Sequence, residues 1–188
     1  MVEFAVIETQ WGTFGFVARN SGEAELLATY TPSAEPKIRK RIAEDWPDAQ
    51  ERATLLPRFR KAIAAFYSGT PVEFNVDVDV HRFSEFQQAV LDACRRIPYG
   101  QTATYADLAR AAGRPGAARA AGSTMARNPM PIVIPCHRVV RTDGGLGGFS
   151  SVRGVSEKQQ LLEMEQAAMD EPTRKRARQR ILAGQELA

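Results

Sequence analysis

Residues 97–127 read IPYGQTATYADLARAAGRPGAARAAGSTMAR. Pro98-Tyr99-Gly100 is a stop-and-turn signal. Thr104 then stands as an N-cap with Asp107 three residues on, and this capping box predicts a short helix through Ala112. Gly113 ends that helix. Pro115 sits where a first helical turn favours proline, and a second helix is expected to run to about Arg127. Two short helices about a glycine turn make a helix-turn-helix pattern. In the second helix, Gly116 to Ser123 is nearly all small residues with one long cation, Arg119. Small residues allow close approach to another surface, either a neighbouring helix or a nucleic-acid groove. A lone Arg on such a face suits a groove.

Upstream of this stretch, Ser84 and Gln87 form a second capping-box pattern. The helix they open carries Phe86, Val90, Ala93, Cys94 and Ile97 on one face, so Cys94 reads as core. Downstream, Asn128-Pro129-Met130-Pro131 breaks the chain. Ile132-Val133-Ile134 reads as an extended, buried run that delivers Pro135-Cys136-His137-Arg138. A glycine-rich loop follows (Gly144, Gly145, Gly147, Gly148), and Ser156 is expected to cap a last amphipathic helix. A cysteine reacts as its thiolate, and an adjacent base can promote ionisation. His137 is one of only two histidines. The dipeptide alone leaves two readings open, a nucleophile and a buried, inert cysteine with a chance neighbour. His81 has no nearby cysteine or helically spaced acid in the sequence and reads as a boundary residue.

The first eighty residues have a different character. Phe4–Glu8, Thr13–Ala18 and Ala24–Tyr30 read as a β-meander with turns at Gln10-Trp11-Gly12 and Asn20-Ser21-Gly22. Pro32–Pro36 is expected as a loop, Ile38–Trp46 and Leu56–Phe66 as helices, and Phe74–Val80 as a half-exposed strand. Residues 1–80 carry 9 Lys/Arg and 12 Asp/Glu, a net of −3; residues 81–188 carry 16 and 10, a net of +6. The basic half is where a polyanion would bind, although five positives cluster at Arg174–Arg180. With 188 residues, 44% apolar and 25% charged, the chain falls outside the collagen, low-complexity and disordered classes. No apolar run is long enough to span a bilayer, and no signal peptide is evident. Two cysteines without metal-ligand spacing suggest free thiols in a reducing compartment.

IPYGQTATYADLA, PGAARAAGSTMARNPMPIVIPCHRVV and GGLGGFS resemble the O6-alkylguanine-DNA alkyltransferases, also called methylated-DNA–protein-cysteine methyltransferases. The resemblance runs from about Phe86 to Glu165. It implies an α/β (α+β) fold with three parts. An N-terminal ribonuclease H-like domain (1–80) has a small antiparallel sheet with helices. A helical, winged helix-turn-helix-like domain (84–170) binds DNA and accepts the alkyl group, and a basic tail (171–188) follows.

The family's roles fall on this chain by position. Cys136 is the acceptor nucleophile, His137 the base acting through a water, and Glu165 the residue that orients His137. Glu163 competes for that last role from a different helix face. The Cys-water-His-Glu chain is expected to lower the thiol pKa. Tyr105 helps force out the target nucleotide and bonds the flipped guanine, and Arg119 fills the gap in the stack. Thr102, Ala118 and Ser123 join the DNA contacts, and Asn128 ties the helix-turn-helix to the active-site segment. Pro131, Val139, Phe149 and Ser150 line the substrate pocket, with the Val139 carbonyl toward the guanine amine and a Ser150 donor toward the guanine oxygen.

The implied partner is double-stranded DNA carrying O6-alkylguanine, with O4-alkylthymine as a second candidate. No cofactor, metal or membrane is expected. A cytoplasmic monomer is expected, nucleoid-associated in a bacterium. The Arg174–Arg180 cluster is either a set of further phosphate contacts or a solvated face. Two other functions stay open: a non-catalytic protein that flags alkylated DNA, and a cysteine hydrolase.

Overall fold

The computed structural model describes residues 1–20, 24–151 and 153–169. Two units divide the chain: Met1–Val80 with Pro129–Pro131, and His81–Asn128 with the chain from Ile132 onward.

In the first unit, β1 (Val2–Thr9), β2 (Gly12–Asn20) and β3 (Ala24–Ser33) form an antiparallel meander. β1 alternates between buried and half-buried residues, whereas β2 is buried on both faces. The helices explain the difference. α1 (Glu35–Asp45) sets Ile38 and Ile42 against Val17, Leu27, Ala28 and Tyr30. α2 (Pro57–Tyr67) contributes Phe59, Phe66 and Tyr67 to an aromatic cluster with Phe14, Phe16 and Phe74. Alternate residues of β2 therefore meet alternate helices. At Gly15 a Cβ would lie 2.5 Å from Ile38 Cγ2, so only glycine admits α1 this closely. Two-residue parallel strands, β4 (Gln50–Glu51) and β5 (Asp77–Val78), flank β1 and β3. The strand expected over Phe74–Val80 is reduced to Asp77–Val78. The loop expected over Pro32–Pro36 shrinks to Ala34, because β3 runs on to Ser33 and Pro36 stands in the first turn of α1.

The second unit holds α3 (Glu85–Arg95), α4 (Tyr105–Ala111), α5 (Ala118–Ala126) and α6 (Gly154–Ala167). Both capping boxes form. Ser84 accepts from Gln87 N while Gln87 Oε1 accepts from Ser84 N (3.0 Å), and Thr104 and Asp107 repeat the arrangement (3.1 and 2.9 Å). The short strands β6 (Ala103–Thr104) and β7 (Val139–Val140) pair in parallel. Pro115 lies in a turn ahead of α5 rather than in its first turn, because the helix starts only at Ala118. Ser156 is not the cap of α6. Arg153 holds that position, and Ser156 Oγ donates back to its carbonyl from inside the first turn (2.8 Å).

The run Ile132-Val133-Ile134 is buried but not extended. It turns at Ile132-Val133, with Ile132 at φ +78. A β-branched residue in the left-handed region costs about 1–3 kcal/mol and persists only where its surroundings impose it. Burial of all three side chains, together with a bond from Asn128 Nδ2 to the Ile134 carbonyl (2.8 Å), holds this turn.

Among the described residues, no helix is long and apolar enough to cross a membrane. The basic tail and its Arg174–Arg180 cluster lie outside the described residues.

Candidate active site

The turn at Ile132-Val133 feeds a 3-10 turn, Cys136–Arg138, whose three side chains are all buried. His137 is fully enclosed, and its Nε2 lies 2.8 Å from Glu165 Oε1. Glu165, on the inner face of α6, also receives Arg138 Nη2 (2.8 Å), Arg138 Nε (3.0 and 3.1 Å) and the backbone N–H of Gly100 (2.9 Å). Arg138 is fixed in turn by the Ile97 carbonyl (2.7 Å) and lies over the Tyr99 ring. Gly100 has φ +73, and a Cβ there would overlap Met169. Glycine is therefore required where the backbone must reach Glu165. Glu163 points elsewhere, exposed and bonded to Gln159 (2.9 Å).

These contacts fix protonation states. Burial raises the Glu165 carboxyl, but the hydrogen bonds and charges of His137 and Arg138 outweigh it and hold it at about 2. Glu165 is thus an ionised, acceptor-only group, and His137 must donate to it through Nε2–H. Burial lowers His137, against the raising effect of Glu165, so the ring is neutral and Nδ1 carries the lone pair.

The thiol departs from expectation. Burial raises Cys136 above the ordinary cysteine value; a hydrogen bond from Asn128 and the charge of Lys158 pull the other way without prevailing. Cys136 therefore rests as a thiol, and its ionisation would need a base to take the proton. Cys94, fully buried in α3, is raised further by burial, and Cys136 adds to this.

Two residues that the sequence reading passed over complete the enclosed side. Arg138 is the counter-charge of Glu165. Lys158, wholly buried, donates Nζ to the carbonyls of Val139 (2.5 Å) and Gly148 (3.4 Å), bridging β7 and the glycine-rich loop. Its signal was available: Lys158, Leu161, Leu162 and Glu165 stand at i, i+3, i+4 and i+7, the buried stripe of α6.

On the open side, a cavity of about 600 Å3 is lined by Tyr105, Ala118, Arg119, Gly122, Arg141 and Asp143, among others. Tyr105 begins α4 and is half-buried. Burial raises its hydroxyl, with Cys136 and Cys94 adding to the shift, so it remains a proton donor. A Cβ on Gly147 (φ +69) would lie 2.7 Å from that hydroxyl, so glycine lets the loop pass over the ring. The Arg119 side chain is exposed and has no hydrogen bond or ion pair among the described residues. Ala118 is half-buried beside it, Ser123 is exposed and donates to the Arg119 carbonyl (3.1 Å), and Thr102 is half-buried just before β6.

Phe149 meets the His137 ring edge-on at 6.4 Å. The Ser150 hydroxyl is committed to the Ala126 carbonyl (3.0 Å), which leaves the guanine-oxygen contact expected of Ser150 to its backbone N–H. Pro131 belongs to the first unit, where its carbonyl accepts the Thr29 hydroxyl (2.7 Å).

A family model described as 6-O-methylguanine DNA methyltransferase, DNA binding domain, matches residues 85–167. A methylated-DNA–protein-cysteine methyltransferase of Methanothermobacter thermautotrophicus is 44% identical over 110 residues, 58% of this chain and 60% of that protein. The alignment thus spans less than two thirds of that relative. A protein of the same name from Methanosarcina acetivorans is 34% identical over 145 residues, 77% of this chain and 88% of that one. The crystal structure of Mycobacterium tuberculosis O6-methylguanine methyltransferase superposes with a TM-score of 0.72 at 30% identity, covering 91% of this chain and 96% of that one. OGT of the same organism in complex with DNA gives 0.71 at 28% identity, covering 90% and 96%.

Proposed function

The chain belongs to the methylated-DNA–protein-cysteine methyltransferase family, and on that premise we propose that it repairs O6-alkylguanine in duplex DNA by moving the alkyl group irreversibly onto its own Cys136. The observation that carries this reading is the run Cys136-His137-Arg138 folded onto Glu165, which gives a thiol a neutral imidazole neighbour of fixed tautomer.

The chemistry follows from those states. The alkyl carbon of a base inside a duplex is out of reach, so the nucleotide must leave the stack, at a cost of a few kcal/mol. Arg119, on the exposed face of α5, fills the gap, and Tyr105 crowds the adjacent backbone. Thr102, Ala118 and Ser123 contact the DNA, and Asn128 steadies the segment that carries the thiol. His137 Nδ1 takes the Cys136 proton through a water, and Glu165 holds the imidazolium that forms. The thiolate forms the S–C bond as the C–O bond breaks, and its electron pair leaves on guanine O6. That developing oxyanion needs a donor, which Tyr105 supplies with its protonated hydroxyl. Val139, Phe149 and Ser150 wall the base pocket. The Val139 carbonyl accepts Lys158 with one lone pair and keeps the other for the guanine amine. The product thioether offers no leaving group, so each chain acts once. The protein works as a monomer without metal or cofactor.

A duplex carrying radiolabelled O6-methylguanine, supplied in excess, tests this. Label on the protein should rise to one methyl per chain and stop. Continued loss of methyl from DNA would mark a hydrolase. Tight, lesion-selective binding without transfer would mark a lesion-flagging protein.

A further inference from the structure

The cavity beside Tyr105 has a second arginine, which the proposed reaction leaves without a task. Arg141 follows β7 and faces the same space as Arg119. Its Nε and Nη2 engage the two oxygens of Asp143 (3.2 and 2.7 Å). The backbone beneath it is closed by Arg141 N to the Gly145 carbonyl (2.8 Å) and by Gly144 N to the Arg141 carbonyl (3.0 Å). Asp143 is anchored by the Gly145 N–H (3.0 Å). At Gly145 a Cβ would stand 3.1 Å from Asp143 Oδ1 and 3.3 Å from Arg141 Cδ, so glycine leaves room for this side-on pair.

A guanidinium has five N–H donors in a planar fork. Asp143 occupies only the Nε/Nη2 edge, and Nη1 has no partner among the described residues. Arg141 is thus aimed and still holds three unused donors, two of them on Nη1. Both partners are well exposed, 61% and 59%, so their pairing contributes little to stability. Its consequence is orientation. Arg119 and Arg141 give one concave surface two cations from different segments, α5 and the loop after β7.

Resting on the reading of this cavity as the DNA-lesion site, we propose that Arg141 is a positioning residue that holds a DNA phosphate through Nη1 while Asp143 fixes the plane of its guanidinium. Asp143 is then a supporting carboxylate, its negative charge offset by the Arg141 guanidinium that it holds.

The test is lesion-duplex binding by the full chain across a salt series, with thermal unfolding as a check on folding. Arg141→Gln should weaken binding about fivefold and flatten the slope of log K against log salt by about 0.9, the loss of one phosphate neutralisation. Arg141→Lys should keep the slope and lose about threefold in affinity, because an ammonium cannot serve both partners. Asp143→Asn keeps an acceptor for the Gly145 N–H and should also weaken binding, although it removes a negative charge near DNA. An unchanged slope in Arg141→Gln, or tighter binding by Asp143→Asn, would overturn the proposal. If the unaltered protein failed to bind the duplex at all, the reading of the cavity itself would fall.

Discussion

The enclosed and open sides of the site are built on opposite rules. Around Glu165 one buried carboxylate takes donors from the buried His137 and Arg138 and from the half-buried Gly100 backbone. Around the cavity the cations are exposed, and among the described residues Arg119 is unpartnered and Arg141 is held on one edge only. The enclosed side is ordered by its own hydrogen bonds, and on the proposed reading it is ready for chemistry before any ligand arrives. The open side keeps its donors for a ligand. On the proposed reading the proton transfer falls to the enclosed side and most DNA contacts to the open side, so substitutions should separate them.

The largest effect is expected at the nucleophile. Cys136→Ser should abolish methyl transfer while lesion-duplex affinity stays within about twofold, the usual range for a change that breaks no binding contact; gel-shift and label-transfer assays read the two. A parallel collapse of binding would mean the two sides are one unit. Next is Glu165→Gln, which strands a buried arginine and frees the His137 ring. Unfolding stability should drop by roughly 3–5 kcal/mol, and transfer should slow with it. The sign of the pH dependence is set by the lowered carboxyl. Its stabilisation is complete above the unfolded value of 4.5 and is lost as pH falls through about 2. The difference in melting temperature between the two proteins should therefore shrink over that window in thermal scans.

The legibility of the sequence followed the same division. Features set by a few adjacent residues were readable: the Ser84/Gln87 and Thr104/Asp107 boxes, and the glycine stop at Gly113. The Cys-His pair was visible but undecided, because its meaning depends on Glu165, twenty-eight residues after His137. Three consecutive β-branched residues, Ile132-Val133-Ile134, carry a strand's propensity, yet tertiary burial forces a turn with Ile132 in the left-handed region. Lys158 has a surface residue's chemistry but stands on the buried stripe of Leu161 and Glu165, and the raised Cys136 thiol reflects enclosure that no local pattern encodes.

Smaller effects sharpen the contrast. The acid limb of the transfer-rate profile should lie below the ordinary imidazole value of 6.5, because burial keeps His137 neutral; a limb above it would show a protonated resting ring. Arg119→Ala should lower transfer from duplex DNA by about tenfold and transfer from the free base O6-methylguanine far less, since its contact is with the stack. Ser150→Ala should shift transfer and stability least, within about 0.5 kcal/mol, because its exposed hydroxyl only closes a bond to Ala126. A tenfold loss there would place that hydroxyl on the base.

The decisive measurement is the mass of two peptides. After the protein reacts with a duplex carrying one O6-methylguanine, digestion separates the peptide containing Cys136 from the one containing Cys94. The account requires the Cys136 peptide to gain the mass of one CH2 in every chain and the Cys94 peptide to gain nothing. A methyl found on Cys94, or an unmodified Cys136 after the lesion has vanished from the DNA, would contradict it.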